Sequence, residues 1–298
     1  MADADDLEAL AERLEQTGDY RILRRVPSVA HYAEPPDGTE LRRGLIVDVE
    51  TTGLDPTRDK IIELAILPFD FSSEGVLHGV RDSYAGFEDP GMPVPKEISR
   101  FTGITDDDVR GQTLDDDRVA SLAAAADLVI AHHAGFDRRF MERRFPVFVE
   151  KAWGCSSEQV PWKVEGLRSR GLDYLLYRFG YFFDGHRAMN DCQAVLHLLS
   201  LTLPTSGQPI LPVFLENARR RAWRIWALEA DFDLKDRLKA RGYRWSNGED
   251  GRPKAWFRDV DDAELAAEEE FLTEQIYAGQ PRHTMTRIDF RNRFSERE

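Results

Sequence analysis

A chain of 298 residues in which 42% are hydrophobic can bury a real core, which excludes wholesale disorder. No run approaches the ~20 consecutive apolar residues that cross a bilayer, and the acidic start MADADDLEAL lacks the basic and apolar segments of a secretory signal, so a cytoplasmic protein without a membrane partner is expected. The net charge of −14 argues against a polyanion partner until its distribution is considered, for residues 1–212 carry 23 Lys/Arg against 36 Asp/Glu while residues 219–258 carry 12 against 6.

In chain order, Leu7, Leu10 and Leu14 predict an N-terminal helix within a 1–40 extension, followed by a loop at Glu34–Gly38. Leu45–Val49 reads as a buried strand, and Ile61–Phe69 and Val76–Phe87 as two more, joined by a turn at Ser72–Gly75. Arg118–Asp127 predicts a helix and Leu128–Ala131 a fourth strand. Helices are expected over Gly135–Phe145, Leu167–Phe179 and Asn190–Leu201. Hairpin-like strands followed by alternating helix and strand imply an α/β domain over 41–206, a mixed sheet with helices on both faces. Thr205–Pro209 reads as a linker to a small C-terminal α+β domain over 213–298. There Arg224–Glu229 predicts a strand, Asp233–Arg241 a helix, and Tyr243–Ser246 with Lys254–Arg258 a hairpin around Asn247–Gly251. Asp261 and Glu264 form a capping-box-like start to a last helix ending near Tyr277. Cys155 and Cys192 have no zinc-like spacing and are expected as buried thiols.

Three short segments carry chemistry. In Asp48-Val-Glu50-Thr-Thr-Gly-Leu54 the residues at i and i+2 share a strand face, so two carboxylates stand side by side at the end of an apolar strand. Burying them unpaired is costly unless a cation is shared or the strand end emerges into water. Asp137, closing Ala131-His-His-Ala-Gly-Phe-Asp, sits on the opening turns of a helix, where an acid also serves helix electrostatics. In His186-Arg-Ala-Met-Asn-Asp191 the aspartate opens an apolar helix and the histidine precedes it in a loop, positions equally open to a cap and a solvated surface residue.

Taken in order, DVETTGLD, AHHAGFD and HRAMNDCQA resemble the three motifs of the DEDDh exonucleases, the DnaQ-like group of proofreading subunits, ribonuclease T and oligoribonuclease. The resemblance spans about 44–202, with weaker echoes at Phe101-Thr-Gly-Ile-Thr105 and Gly171-Leu-Asp-Tyr-Leu175. It implies a ribonuclease H-like fold with a mixed five-stranded sheet, and 3′→5′ hydrolysis of single-stranded nucleic acid, DNA favoured, to nucleoside 5′-monophosphates. It implies Asp48, Glu50, Asp137 and Asp191 as ligands of two Mg²⁺ or Mn²⁺ ions, His186 as general base, and Thr51, Gly53, Leu54 and His133 as substrate contacts. His133 departs from the usual Asn of the second motif, as either a structural swap or a change in substrate or pH preference. All-oxygen ligands suit hard Mg²⁺ or Mn²⁺, and a pair of such ions ~3.5–4 Å apart activates water and faces the leaving oxygen. An exoribonuclease, or a silent nucleic-acid-binding subunit, is the competing expectation.

Beyond the motifs, four of the six Trp (Trp223, Trp226, Trp245, Trp256) fall among the basic residues of the tail. Stacking platforms with phosphate-binding charge suit single strands, whereas a small domain equally uses Trp as core. Gln208-Pro-Ile-Leu-Pro-Val-Phe214 is similar to a sliding-clamp peptide, so a clamp or polymerase contact is a further expectation.

Overall fold

The computed structural model describes residues 4–248 and 252–295; the tip of the expected hairpin, residues 249–251, lies outside them. Helix α1 (Ala4–Gln16) and the short β1 (Arg24–Arg25) precede β2 (Leu41–Thr51), the centre of the main sheet. Strands β3 (Ile61–Ser72), β4 (Leu77–Val80) and β5 (Tyr84–Phe87) follow, with β3 antiparallel to β2 and β4 and β5 both antiparallel to β3. Helices α2 (Lys96–Thr102), α3 (Asp106–Val109) and α4 (Asp116–Ala124) lead to β6 (Leu128–Ala131), parallel to β2. Helix α5 (Ala134–Arg144) then connects to β7 (Trp153–Cys155), parallel to β6. After α6 (Leu172–Phe179), β8 (Tyr181–Phe182) pairs with β1, which ties the N-terminal extension to the body, and α7 (Ala188–Ser200) and α8 (Ile210–Arg219) complete the unit.

Strand alternation assigns the layers. Leu45, Val47 and Val49 pack with Val119 and Leu122 of α4 and Phe140 and Met141 of α5. Ile46 faces the other way, into a cluster built by α6, α7 and α8. Asp48 and Glu50 continue the Ile46 face. Gly44 is required on β2 because an added Cβ would lie 2.3 Å from the Phe69 ring. Both cysteines are free and buried. This is the mixed α/β, ribonuclease H-like sheet that the motifs implied.

Four expectations need correction. The sheet has six strands rather than five, because Val76–Phe87 divides into β4 and β5. Between them Arg81 turns its guanidinium to the buried Asp70 (2.6 Å), and Asp82 accepts from Arg118 (2.6 Å). The helix expected from Leu167 begins only at Leu172, after Gly171 in extended conformation. Asp261 makes no capping bond; it lies 3.9 Å from Arg220. The sliding-clamp-like segment is not a docking peptide: Ile210, Leu211 and Phe214 of α8 are at most 1% exposed and sit in the core. The boundary expected at 213 therefore falls inside a helix of the main unit.

The tail forms a second, antiparallel sheet in the order β10 (Arg244–Trp245), β11 (Trp256–Asp261), β9 (Ala222–Ala227), β12 (His283–Ile288). Helices α9 (Lys235–Ala240) and α10 (Asp262–Phe271) cover one face, where Ile225, Leu238, Trp256, Val260 and Phe271 pack together. Trp226 and Trp256 are buried and Trp223 is partly so, which makes them core; Trp245 is 50% exposed, with its ring 5.5 Å from Trp256.

Beyond β12 the chain returns to the main unit. The Phe290 carbonyl accepts the Trp153 N–H (2.9 Å) at the edge of β7, and Phe294 packs on the α4–α5 cluster. Arg138 of α5, fully buried, donates to Glu142 (2.6 Å), to the Arg293 carbonyl (2.6 Å) and to the Arg291 carbonyl. Arg138→Met leaves a nearly buried carboxylate and two carbonyls without these donors, a change that costs ~3–5 kcal/mol. Urea unfolding should register that loss, and limited proteolysis should cut the chain after Ile288; unchanged stability and protection would show that Arg138 is not the anchor.

Candidate active site

The site grows from the end of β2. Asp48 and Glu50 project toward α7, and the pairing of β2 with β3 shifts register between Glu50 and Thr51, an irregularity that re-aims side chains at a sheet end. Helix α7 presents Asp191, whose carboxylate accepts the Arg187 N–H (3.2 Å). Oxygens of Asp48, Glu50 and Asp191 all lie within 4.8 Å of one another. Asp137 arrives from the opposite layer on the first turns of α5, buried, and accepts the Val49 N–H (3.3 Å).

One cavity of about 730 Å³ is lined by all nine residues that the sequence singled out: Asp48, Glu50, Thr51, Gly53, Leu54, His133, Asp137, His186 and Asp191. Burial, with mutual repulsion, raises the carboxyls of Asp48, Glu50, Asp137 and Asp191. Asp48 stands well above the ordinary carboxylate range, raised first by burial and then by Asp137, Asp191, Glu50 and Glu63. Glu50 is pushed up to about 8 by burial and by Asp191 and Glu63, against the opposing effect of Arg187. Asp137 and Asp191 are each pushed up to about 7, mainly by burial, with backbone N–H bonds pulling the other way. Such a set keeps protons at neutral pH that ordinary carboxyls have lost, and a divalent cation is the species that displaces them.

His186 occupies a left-handed backbone position (φ 64°) in the loop before α7, and its ring centre lies 3.7 Å from that of Phe101. Phe101 and Leu54, 62% and 83% exposed, form an apolar rim on the same cavity. Thr51 donates its hydroxyl to the Gly53 carbonyl (2.5 Å), and Gly53 admits no side chain, since a Cβ would lie 2.4 Å from the Asp59 carboxylate. His133 stands at the entry to α5, exposed, with Nδ1 3.4 Å from the Ser157 hydroxyl. Its neighbour His132 is buried: Nε2–H donates to the Arg170 carbonyl (2.7 Å) and Nδ1 accepts from Ser156 (2.9 Å). Burial pushes it down to about 3, so it is a fixed neutral strut rather than a proton acceptor.

Sequence reasoning missed Glu63, which stands opposite Glu50 on β3 and is 4% exposed. Its carboxylate takes the Arg187 guanidinium (3.0–3.3 Å) and the Ala188 N–H (3.1 Å), fixing the start of α7 and hence the entry of Asp191. The available signal was a lone acid inside the apolar run Ile61-Ile-Glu-Leu-Ala-Ile66, a position that demands a partner.

Comparison with known proteins points the same way. Residues 45–199 match the family profile described as Exonuclease, of the RNase T type. The chain is 31% identical over 160 residues to a DNA polymerase III PolC-type of Listeria innocua, covering 51% of this chain and 11% of that protein. The PolC-type polymerase of Thermotoga maritima is 26% identical over 159 residues, again 11% of its length, so the chain spans only about a tenth of these relatives. Among solved structures, E. coli exonuclease I with an oligonucleotide aligns at a TM-score of 0.48 and 16% identity, covering 74% of this chain and 63% of that one. Exonuclease X with 5′-overhanging duplex DNA aligns at 0.41 and 18%, covering 57% and 99%. With the family profile matching more than half of its length, the chain belongs to the DnaQ-like 3′→5′ exonuclease family.

Proposed function

We propose that the chain removes nucleotides one at a time from the 3′ end of single-stranded nucleic acid, with DNA favoured, releasing nucleoside 5′-monophosphates. The observation that carries this reading is the convergence of Asp48, Glu50 and Asp191 oxygens within 4.8 Å in a cavity that also holds Asp137 and His186. The DNA polymerase name of the relatives supports DNA over RNA.

The donor set fits two hard divalent ions, Mg²⁺ or Mn²⁺, held by Asp48, Glu50, Asp137 and Asp191: every donor is a carboxylate oxygen, and among the described residues no thiol or imidazole joins the cluster. When bound, such ions acidify the attacking water and neutralise charge on the phosphate and the departing 3′-oxygen. His186, half-buried and packed against the tilted ring of Phe101, accepts the proton of that water. Leu54 and Phe101 give the terminal base an apolar surface, and Thr51, Gly53 and His133 line its approach. Glu63 and Arg187 act as positioning residues by holding the start of α7.

End-labelled DNA and RNA oligonucleotides, incubated with Mg²⁺ or with EDTA, test the reading directly. Stepwise loss of nucleotides from the 3′ end in Mg²⁺ alone is expected; no cleavage of either strand with Mg²⁺ or Mn²⁺ would overturn it. Asp48→Asn and Asp191→Ala should each lower turnover at least about a hundredfold, since changes outside the ligand shell alone cost ~10–100-fold. His186→Gln should lower it on the order of 10²–10⁴-fold.

The raised carboxylates also set stability. Because the folded protein holds these protons more tightly than the unfolded chain, their stabilising effect is present below about pH 4 and is lost as pH rises through about 7 to 8. In EDTA the melting temperature should fall between pH 5 and pH 8.5, and Asp48→Asn should raise it at the alkaline end. Mg²⁺ at 100 times its dissociation constant should restore ~2.7 kcal/mol. A melting temperature indifferent to both pH and metal would mean that the carboxylates do not share a site.

A further inference from the structure

The tail sheet has one face without helices. Alternation along its strands places Arg244, Phe257, Arg224, Asp259 and Asp261 on that face, opposite the side on which Trp245 meets Trp256. Residues of this face look onto the main unit across a cleft of about 480 Å³. Arg139, Arg220, Arg224, Arg244, Arg252 and Arg293 line it, against the acids Glu158, Asp259 and Asp261. Arg224 is neutralised by a two-pronged bond to Asp259 (2.7 and 2.8 Å). Arg220 and Arg244 remain more than half exposed; Arg220 pairs with Glu216 outside the cleft (2.8 Å) and lies 3.9 Å from Asp261, while Arg244 lies 3.7 Å from Asp259. The cleft thus keeps a positive excess in a chain of net charge −14.

Its position gives that excess a use. Gly135, Arg139 and Glu158 line both this cleft and the catalytic cavity, so the two form one continuous depression. At the junction Arg139 has a buried Nε without a hydrogen-bond partner, an unsatisfied donor between the two depressions.

We propose that the arginine-lined cleft between the tail sheet and the main unit holds the phosphodiester backbone of the strand whose 3′ end lies in the catalytic cavity. The inference rests on the nuclease reading for the direction of the strand. Planar guanidinium groups bind phosphate oxygens through paired N–H donors, and they read charge rather than sequence. Phe257, buried in the same wall, backs the guanidinium groups of Arg224 and Arg244 (4.9 Å over its ring), whereas Trp245, on the opposite face, takes no part.

The test compares the full-length protein with Arg220→Gln/Arg244→Gln and with Arg220→Lys/Arg244→Lys. Equilibrium binding of a fluorescent single strand of about 20 nucleotides is measured in EDTA across a salt series, where each lost phosphate contact lowers the slope of log affinity by ~0.7. The glutamine pair should bind on the order of tenfold more weakly at low salt, with the slope reduced by about 1.4, and the lysine pair should keep most of both. In Mg²⁺, the ratio of kcat/KM on the long strand to that on a dinucleotide should fall with the glutamine pair. Unchanged affinity and slope would overturn the proposal, as would equal losses in the lysine and glutamine pairs, which point to packing rather than charge. Binding of polyglutamate that the oligonucleotide fails to displace would overturn it in favour of an acidic protein partner. Wild-type protein that binds the strand with the full slope, yet releases no nucleotide in Mg²⁺ or Mn²⁺, would support the cleft and overturn the nuclease reading.

Discussion

Four carboxylates forced together at the end of the central strand are the constraint around which the molecule is arranged. Asp48 and Glu50 come from β2, Asp191 from the helix on one face of the sheet and Asp137 from the helix on the other. Each is driven above its ordinary range, chiefly by burial. No hydrophobic gain is made by bringing them there, so the surrounding core must hold them against their own repulsion. The wholly buried β3 and the two clusters on either side of the sheet supply that restraint. A sheet gripped on both faces is rigid enough to keep charges close, and a cation then turns the strain into affinity.

The restraint reaches the tail through adjacent residues of α5. Asp137 faces the catalytic cavity, while Arg138 turns the other way and holds the carbonyls of Arg291 and Arg293. One residue further on, Arg139 lines both depressions. A single helical turn therefore serves the acid site, the anchorage of the tail and the passage between them. Glu63 plays the matching part across the sheet, where it ties β3 to the start of α7, between the His186 loop and Asp191.

How much of this was legible in the sequence follows from which interactions are local. Asp48 and Glu50 were readable because an i, i+2 pair on a strand fixes its own geometry. Asp137, His186 and Asp191 were individually ambiguous and became legible only through the resemblance of their order and spacing to a known family. The break between β4 and β5 was not readable, because it depends on Asp70 and Arg118, distant in sequence from the turn they stabilise. Helix α8 is where a peptide motif was expected: Gln208–Phe214 carries two prolines, and its helical part comes from burial of Ile210 and Phe214 against the sheet. Propensity and composition yield there to tertiary packing.

The tail illustrates the same division for charge. Composition revealed a basic excess over 219–258 and four tryptophans beside it, yet gave no way to sort them by face. Sheet pairing does the sorting. Trp223 and Trp256 join the helix-covered side, Trp226 fills a small cluster with Phe257, and Arg224 and Arg244 stand on the open side. The aromatic and basic features that looked like one nucleic-acid surface in the sequence are thus mostly a core and a wall. An acidic protein can still meet a polyanion under these conditions, because within a Debye length of ~8 Å a strand responds to the charges lining the cleft rather than to the net −14 of the chain. The surplus acid, concentrated before residue 213, then acts at greater distance to discourage strands that approach elsewhere on the surface.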